Sequence, residues 1–323
     1  MNSKEGISLM RLRFKRHSTE EQEIISTDKE KKIMLLLDGN QLSKIIRKEI
    51  SDKVIEFCKT ESRPPHLAAV LIGNNPASEA YVRNKIKACE EVGFASTLIK
   101  KSENISEQDL IHIIDSLNSN SEIDGYIVQL PLPRHIDELK INLAIDPKKD
   151  VDGFHPNNFG RMALGLPAYH PATPAGIMMI LDRYGIDTDG KNCVVLGRSN
   201  IVGTPISLLM SKKTKPGNAT VTIAHSRTKN LKEMCLQADI IIAALGIPKF
   251  LKADMVKEGA VIIDVGINRI ADPSSKSGFR LVGDVDFDAL KDRVAAMTPV
   301  PGGVGPMTIT ALIQNTWTAY QQR

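Results

Sequence analysis

Tyr81 and Lys85 stand four residues apart in the stretch AYVRNKIKACEEVGF, residues 80–94. Four residues is about one helical turn, so the two side chains share a face. With Tyr81 at zero on a helical wheel, Lys85 lies at about 40°, while Val82, Ile86 and Cys89 gather at about 80–140°. The pair therefore borders the buried stripe, and Arg83, Lys87 and Glu90 face away from it. A lysine so placed loses part of its water, which favours the neutral amine, and such an amine suits proton transfer. A surface helix with a chance pair is the competing account of the same spacing.

Other polar groups fall where a cleft would want them. Gln129 ends an apolar run in GYIVQLPLP, just before Pro131 and Pro133. In an open parallel sheet ligands bind beyond the carboxyl ends of strands, so Gln129 faces a cleft or is a buried structural amide. Asp150 and Asp152 sit in PKKDVDGFHP. Acids there can cap a turn, cap a helix or hold the polar edge of a ligand, and the sequence leaves all three open. PVPGGVGPMT carries no acid or base. Its glycines suit close backbone approach to a flat ligand, or simply a tight turn.

A second chemistry is signalled in VVLGRSNIVGTPISLLM, which reads as a buried strand, a glycine turn and a helix. Glycine lets the backbone approach a phosphate, and the helix start offers free N–H groups and partial positive charge. The spacing is one glycine, Gly197, five residues, then Gly203, not G-x-G-x-x-G. Arg198 and Ser199 lie in the turn. After the next strand come Ser226 and Arg227, where a dinucleotide fold places an acid to read a free ribose 2′-hydroxyl. A hydroxyl and arginines suit a 2′-phosphate instead, so the expected cofactor is NADP rather than NAD.

These residues need a frame, and the chain supplies a βα rhythm. IMLLL, HLAAVLIG, STLIK and DGYIVQLPLP read as strands alternating with amphipathic helices, Ser106 capping one of them. GLPAYHPATPAGIMMIL places three prolines before a helix and reads as a linker. A second βαβ series follows, running from KNCVVLG through ATVTIAHS, ADIIIAALG and GAVIIDVGIN to LVGDVDF, and an amphipathic helix closes the chain. The rhythm implies mostly parallel sheets.

Bulk properties exclude several classes. At 323 residues the chain holds about two domains. A net charge of +4 and 4% aromatic content argue against nucleic acid as a partner. No apolar run reaches the roughly 18 residues of a membrane helix. Cys58, Cys89, Cys193 and Cys235 form no C-x-x-C pair and are expected to be free thiols in a reducing, cytoplasmic setting. The seven histidines show no i, i+4 pairing, so no metal is expected. Residues 1–32 are polar, with eight Lys/Arg and six Asp/Glu, and read as a disordered extension or an over-extended start.

Taken together, NPASEAYVRNKIKACEEVGF, GYIVQLPLP, PKKDVDGFHP, HPATPAG, VVLGRSNIVGTP, ATVTIAHSRT, VIIDVGIN, VGDVDF and TPVPGGVGPMTITAL resemble, in order, the short bacterial methylenetetrahydrofolate dehydrogenase/methenyltetrahydrofolate cyclohydrolase family. The resemblance implies two α/β lobes around a cleft, usually in a homodimer. Residues 33–172, completed by 300–323, would form the folate-binding catalytic domain, with the last helix returning to it. Residues 173–299 would form the Rossmann-like NADP-binding domain. It also implies that Lys85 is the central catalytic residue and that Gln129 tunes it. Tyr81 would orient the folate and Asp152 would hold the pterin ring. Val128, Leu130, Pro301, Gly302, Gly303, Val304 and Gly305 would line the folate site. Gly197, Arg198, Ser199, Ser226 and Ile267 would contact the dinucleotide. Two stretches depart from the family pattern: residues 1–32, and SKKTKPGNATVT, which looks longer than usual and is expected to bear on the cofactor pocket or the neighbouring surface. A different two-lobed Rossmann oxidoreductase is the rival, and VPGGVGPMT with the Tyr81/Lys85 pair speaks against it.

Overall fold

A short edge strand, β1 (Leu35–Leu36), leads into helix α1 (Gly39–Phe57). There follow β2 (His66–Ile72), α2 (Pro76–Val92), β3 (Ala95–Lys101), α3 (Glu107–Ser119) and β4 (Gly125–Val128). The computed structural model describes residues 33–60, 63–275 and 278–323, so the reading of residues 1–32 lies outside the described residues. Local sequence explains each helix. Asp38 caps α1 by accepting from the N–H of Gln41, and Leu42, Ile46, Ile50 and Val54 form its buried stripe. Asn75 caps α2 with Pro76 in its first turn, and Gly93, at φ 82°, closes it in the left-handed region that favours glycine. β2, β3 and β4 form a parallel sheet of order β3-β2-β4. β2 is central, and six of its seven residues are buried, as a strand covered on both faces requires.

Next come α4 (Glu138–Ala144), α5 (Pro156–Ala163) and α6 (Ala172–Arg183). The proline-rich stretch is less of a linker than the sequence suggests. α6 starts at Ala172, so Pro174 sits in its first turn, where no intrahelical donor is lost.

The second series contains β5 (Asn192–Leu196), α7 (Gly203–Ser211), β6 (Thr220–Ala224), α8 (Leu231–Gln237), β7 (Ile240–Ala243) and β8 (Val261–Asp264). After them come β9 (Asn268–Ala271), β10 (Phe279–Val282), α9 (Phe287–Leu290), β11 (Ala296–Met297) and α10 (Val304–Gln321). The large sheet is parallel, in the order β1-β11-β8-β7-β5-β6.

Two details differ from the sequence reading. LVGDVDF does not extend the βαβ series, because β10 pairs with β9 as a separate antiparallel hairpin. IMLLL shrinks to two residues and joins the second sheet, opposite Ala296 and Met297. Leu35 and Leu36 are 45% and 42% exposed, so this strand is held by ladder hydrogen bonds at an edge rather than by burial.

α10 is apolar on most of its circumference and lies against α6, α1 and α2. Gly176 lets it approach α6, since a Cβ there would lie 2.8 Å from the Met307 carbonyl carbon. The final helix thus returns to the first half of the chain. Among the described residues, no helix is long and apolar enough to cross a membrane, and all four cysteines are free thiols.

Candidate active site

α2 carries Lys85 on its buried side, 6% exposed, while Arg83, Lys87 and Glu90 are exposed. Its Nζ donates to Gln129 Oε1 at 3.2 Å and lies 4.0 Å from Asp152 Oδ2. The end of β4 supplies Gln129, whose backbone N–H continues the ladder to Val70. Gln129 Nε2 donates to the Leu130 carbonyl at 2.7 Å, which turns the amide oxygen toward Lys85. Val128 is buried and Leu130 half-buried on either side of it.

The two aspartates have separate fates. Asp150 accepts from the N–H groups of Gly153, Phe154 and His155 and from Asn158 Nδ2. It is a structural cap. Burial pushes its carboxyl above the ordinary value, while Asn158 and the backbone donors pull it back. Asp152 is 9% exposed and has Lys85 as its ion-pair partner.

A cleft of about 850 Å³ opens beside this cluster. Tyr81 lines it, as do Pro301, Gly302, Gly303, Val304 and Gly305. Burial raises the Tyr81 phenol above its ordinary value, so it stays protonated at neutral pH. The glycine loop is clasped by the start of α1, where the Asn40 N–H donates to the Gly302 carbonyl at 2.9 Å. Ile267 lines the cleft beside this loop, its Cδ1 3.8 Å from the place a Cβ on Gly305 would occupy. Lys85, Gln129 and Asp152 are a contacting cluster but not part of this lining. Asn40, Lys44, Asn84 and Arg269 also line the cleft and were missed in the sequence. Asn40 and Lys44 are one helical turn apart on α1, as Tyr81 and Lys85 are on α2, so the same spacing test would have found them.

The dinucleotide turn lies apart from this lining. Gly197, at φ 118°, follows β5 and presses on the Ala244 carbonyl, leaving no room for a side chain. Gly203 opens α7 directly against the Gly197 carbonyl. Arg198 and Ser199 are exposed in the turn, and Ser226 and Arg227 are exposed beyond β6. Ser199 Oγ accepts from the N–H groups of Val202 and Gly203, fixing the turn. These residues fit a dinucleotide: two glycines without space for a Cβ, a helix start, and basic and hydroxyl groups with no acid after β6. The long SKKTKPGNATVT stretch lies at the other end of the sheet. Gly217 and Asn218 bond to Thr188 and Gly190, ahead of β5, so the stretch shapes that surface and not the cofactor pocket.

Two buried acids, Asp264 and Asp284, close the carboxyl ends of the large sheet. Burial pushes the Asp264 carboxyl up to about 7, against the pull of N–H donors from Asp284, Gly266 and Val285. Among the described residues no cluster of His, Cys, Asp and Glu is arranged to hold a metal.

Comparison with known proteins bears on this geometry. Residues 37–152 match the catalytic domain of the tetrahydrofolate dehydrogenase/cyclohydrolase family, and residues 171–323 match its NAD(P)-binding domain. The bifunctional protein FolD of Cytophaga hutchinsonii is 59% identical over 283 residues, 88% of this chain and 98% of that protein. The bifunctional enzyme FolD of Campylobacter jejuni, a methylenetetrahydrofolate dehydrogenase/cyclohydrolase, has a crystal structure similar at a TM-score of 0.84 and 45% identity, covering 90% of this chain and 99% of that one. The Trypanosoma brucei dehydrogenase-cyclohydrolase, solved with NADP and an inhibitor, gives a TM-score of 0.85 at 36% identity, covering 90% and 98%. The chain belongs to the tetrahydrofolate dehydrogenase/cyclohydrolase family.

Proposed function

We propose that this protein oxidises 5,10-methylenetetrahydrofolate with NADP and hydrolyses the methenyl product to 10-formyltetrahydrofolate, both at the cleft beside Lys85. The observation that carries the reading is the buried Lys85 side chain held between Gln129 and Asp152, one helical turn along α2 from Tyr81, which lines the cleft.

In the first reaction the methylene carbon lies between two nitrogens. Their lone pairs stabilise the cation left when hydride departs, so the protein needs to position more than to activate. Bound NADP supplies the hydride acceptor. Gly197, Arg198, Ser199, Ser226 and Ile267 would hold it. Tyr81 and the Pro301–Gly305 loop would orient the folate, with Val128 and Leu130 supporting Gln129 at its edge. In the second reaction water adds to the methenyl carbon and loses a proton. The bond to N5 then breaks as N5 takes up a proton and the carbinol hydroxyl gives up its own to form the formyl C=O, so one proton is released overall. Lys85 is the group suited to carry that proton, with Gln129 fixing its position and Asp152 holding the pterin.

Assay of the purified protein with methylenetetrahydrofolate and NADP should show NADPH formation followed by loss of the methenyl absorbance. NADPH formation with a stable methenyl signal would remove the second activity. Replacing Arg198 by alanine should weaken NADP several-fold and NAD little, because only NADP carries the 2′-phosphate that its guanidinium would bind. Equal losses in titrations with both cofactors would remove Arg198 from 2′-phosphate recognition.

The lobe assignment, 33–172 with 300–323 for folate and 173–299 for NADP, is supported by the two separate sheets and by α10 lying on α1 and α2, although α10 also lies on α6, which the boundary at 172 assigns to the NADP lobe. β1 is a second exception, since it joins the large sheet. A homodimer is supported by β3, an edge strand whose Leu98 is 46% exposed. A cytoplasmic setting is supported by the four free thiols.

A further inference from the structure

The two buried acids at the carboxyl end of the large sheet have no part in the chemistry described so far. Asp284 is fully buried and accepts from the N–H groups of Leu245, Gly246 and Ile247 at 2.6, 2.9 and 2.9 Å, and from Asn268 Nδ2 at 2.9 Å. Asp264 accepts from the N–H groups of Gly266, Asp284 and Val285 at 2.9, 2.9 and 3.0 Å. Its own N–H donates to Thr298 Oγ1 at 2.8 Å. Thr298 lies directly under the glycine loop, since a Cβ on Gly303 would sit 2.8 Å from Thr298 Cβ.

The two side chains therefore tie the segments that follow β7, β8 and β10, while the link to Thr298 after β11 is made by the Asp264 main-chain N–H. The segment after β8 carries Ile267, and the segment after β11 becomes the Pro301–Gly305 loop. Gly266 and Gly283 have no space for a Cβ because these carboxylates fill it. Among the described residues no Lys or Arg side chain bonds either acid. Burying two carboxyls without a cation is costly, and such a violation of ordinary packing is expected where function depends on it.

We propose that Asp264 and Asp284 are positioning residues, whose carboxylates hold the Ile267 wall of the dinucleotide side against the segments that follow β7 and β10, while the folate loop keeps its main-chain link to residue 264. The inference rests on the reading of the cleft given above. It predicts that hydride transfer and cofactor binding depend on the knot, while methenyl hydrolysis, which needs no dinucleotide, does not.

The test uses the full-length protein. In Asp284→Asn an amide N–H₂ must face at least one backbone donor, so the knot loosens without a change of shape. Calorimetric titration with NADP should show a Kd weakened about tenfold, the scale of a lost charged hydrogen bond, and NADP-free methenyl hydrolysis should stay within about twofold. Asn268→Ala removes one donor only. It should show the same split at about three- to tenfold, and it decides the matter if Asp284→Asn does not fold. An unchanged Kd, or equal loss of Kd and hydrolysis, would overturn the inference. A parent protein without either reaction would instead remove the reading of the cleft.

Discussion

Lys85→Met is expected to abolish methenyl hydrolysis and leave NADP binding intact. Methionine keeps the length and apolar stem of lysine but has no proton to give or accept. General acid–base catalysis typically contributes roughly 10²–10⁴-fold, so a loss of that order is expected. Hydride transfer should fall less, because its cation is stabilised by the substrate's own nitrogens. The dinucleotide turn at Gly197–Ser199 is not part of the Lys85 cluster, so NADP affinity should hold. Hydrolysis is followed by decay of the methenyl absorbance, and binding by titration with NADP. Hydrolysis at the parent rate would mean that another group moves the proton.

Asp152→Ala is expected to lose folate binding and, with it, both reactions. The contrast with Asp150 carries the argument. Asp150 is occupied by four donors from its own loop and helix. Asp152 faces Lys85 at 4.0 Å and has oxygen lone pairs left for a ligand's N–H groups. Hydrogen bonds to a charged group are worth about 1.5–3 kcal/mol each, so losing two would weaken folate by roughly 10²-fold or more. Folate titration of the variant measures this directly, and an unchanged affinity would remove Asp152 from the site. A melting temperature close to the parent's would show that the loss is not one of folding.

Much of this was legible in the sequence, for identifiable reasons. α2 is marked by Asn75-Pro76 at its start, its buried stripe, and Gly93 at its end, so the placement of Lys85 on the edge of that stripe followed from spacing alone. The glycine turn announced itself through strand, turn and helix in succession. The two aspartates of DVDG could not be separated, because the distinction lies in which donors surround them. The hairpin of β9 and β10 was hidden by the alternating rhythm on either side. Asp264 and Asp284 escaped notice for a further reason: their partners come from four segments spread between residues 245 and 298, and no local pattern records such a meeting.

The pairing of β1 with β11 has a consequence for how the molecule is made. Residues 35 and 296 must meet for the edge of the large sheet to form, and the glycine loop and α10 come after both. During synthesis the first sheet can assemble early, since β2, β3 and β4 are close neighbours along the chain. The cleft cannot, because its Pro301–Gly305 wall and the helix behind it emerge after every strand of both sheets. Chains stopped before residue 300 would retain both sheets' central strands and still lack a folate wall, so the sheets can be in place before the site exists.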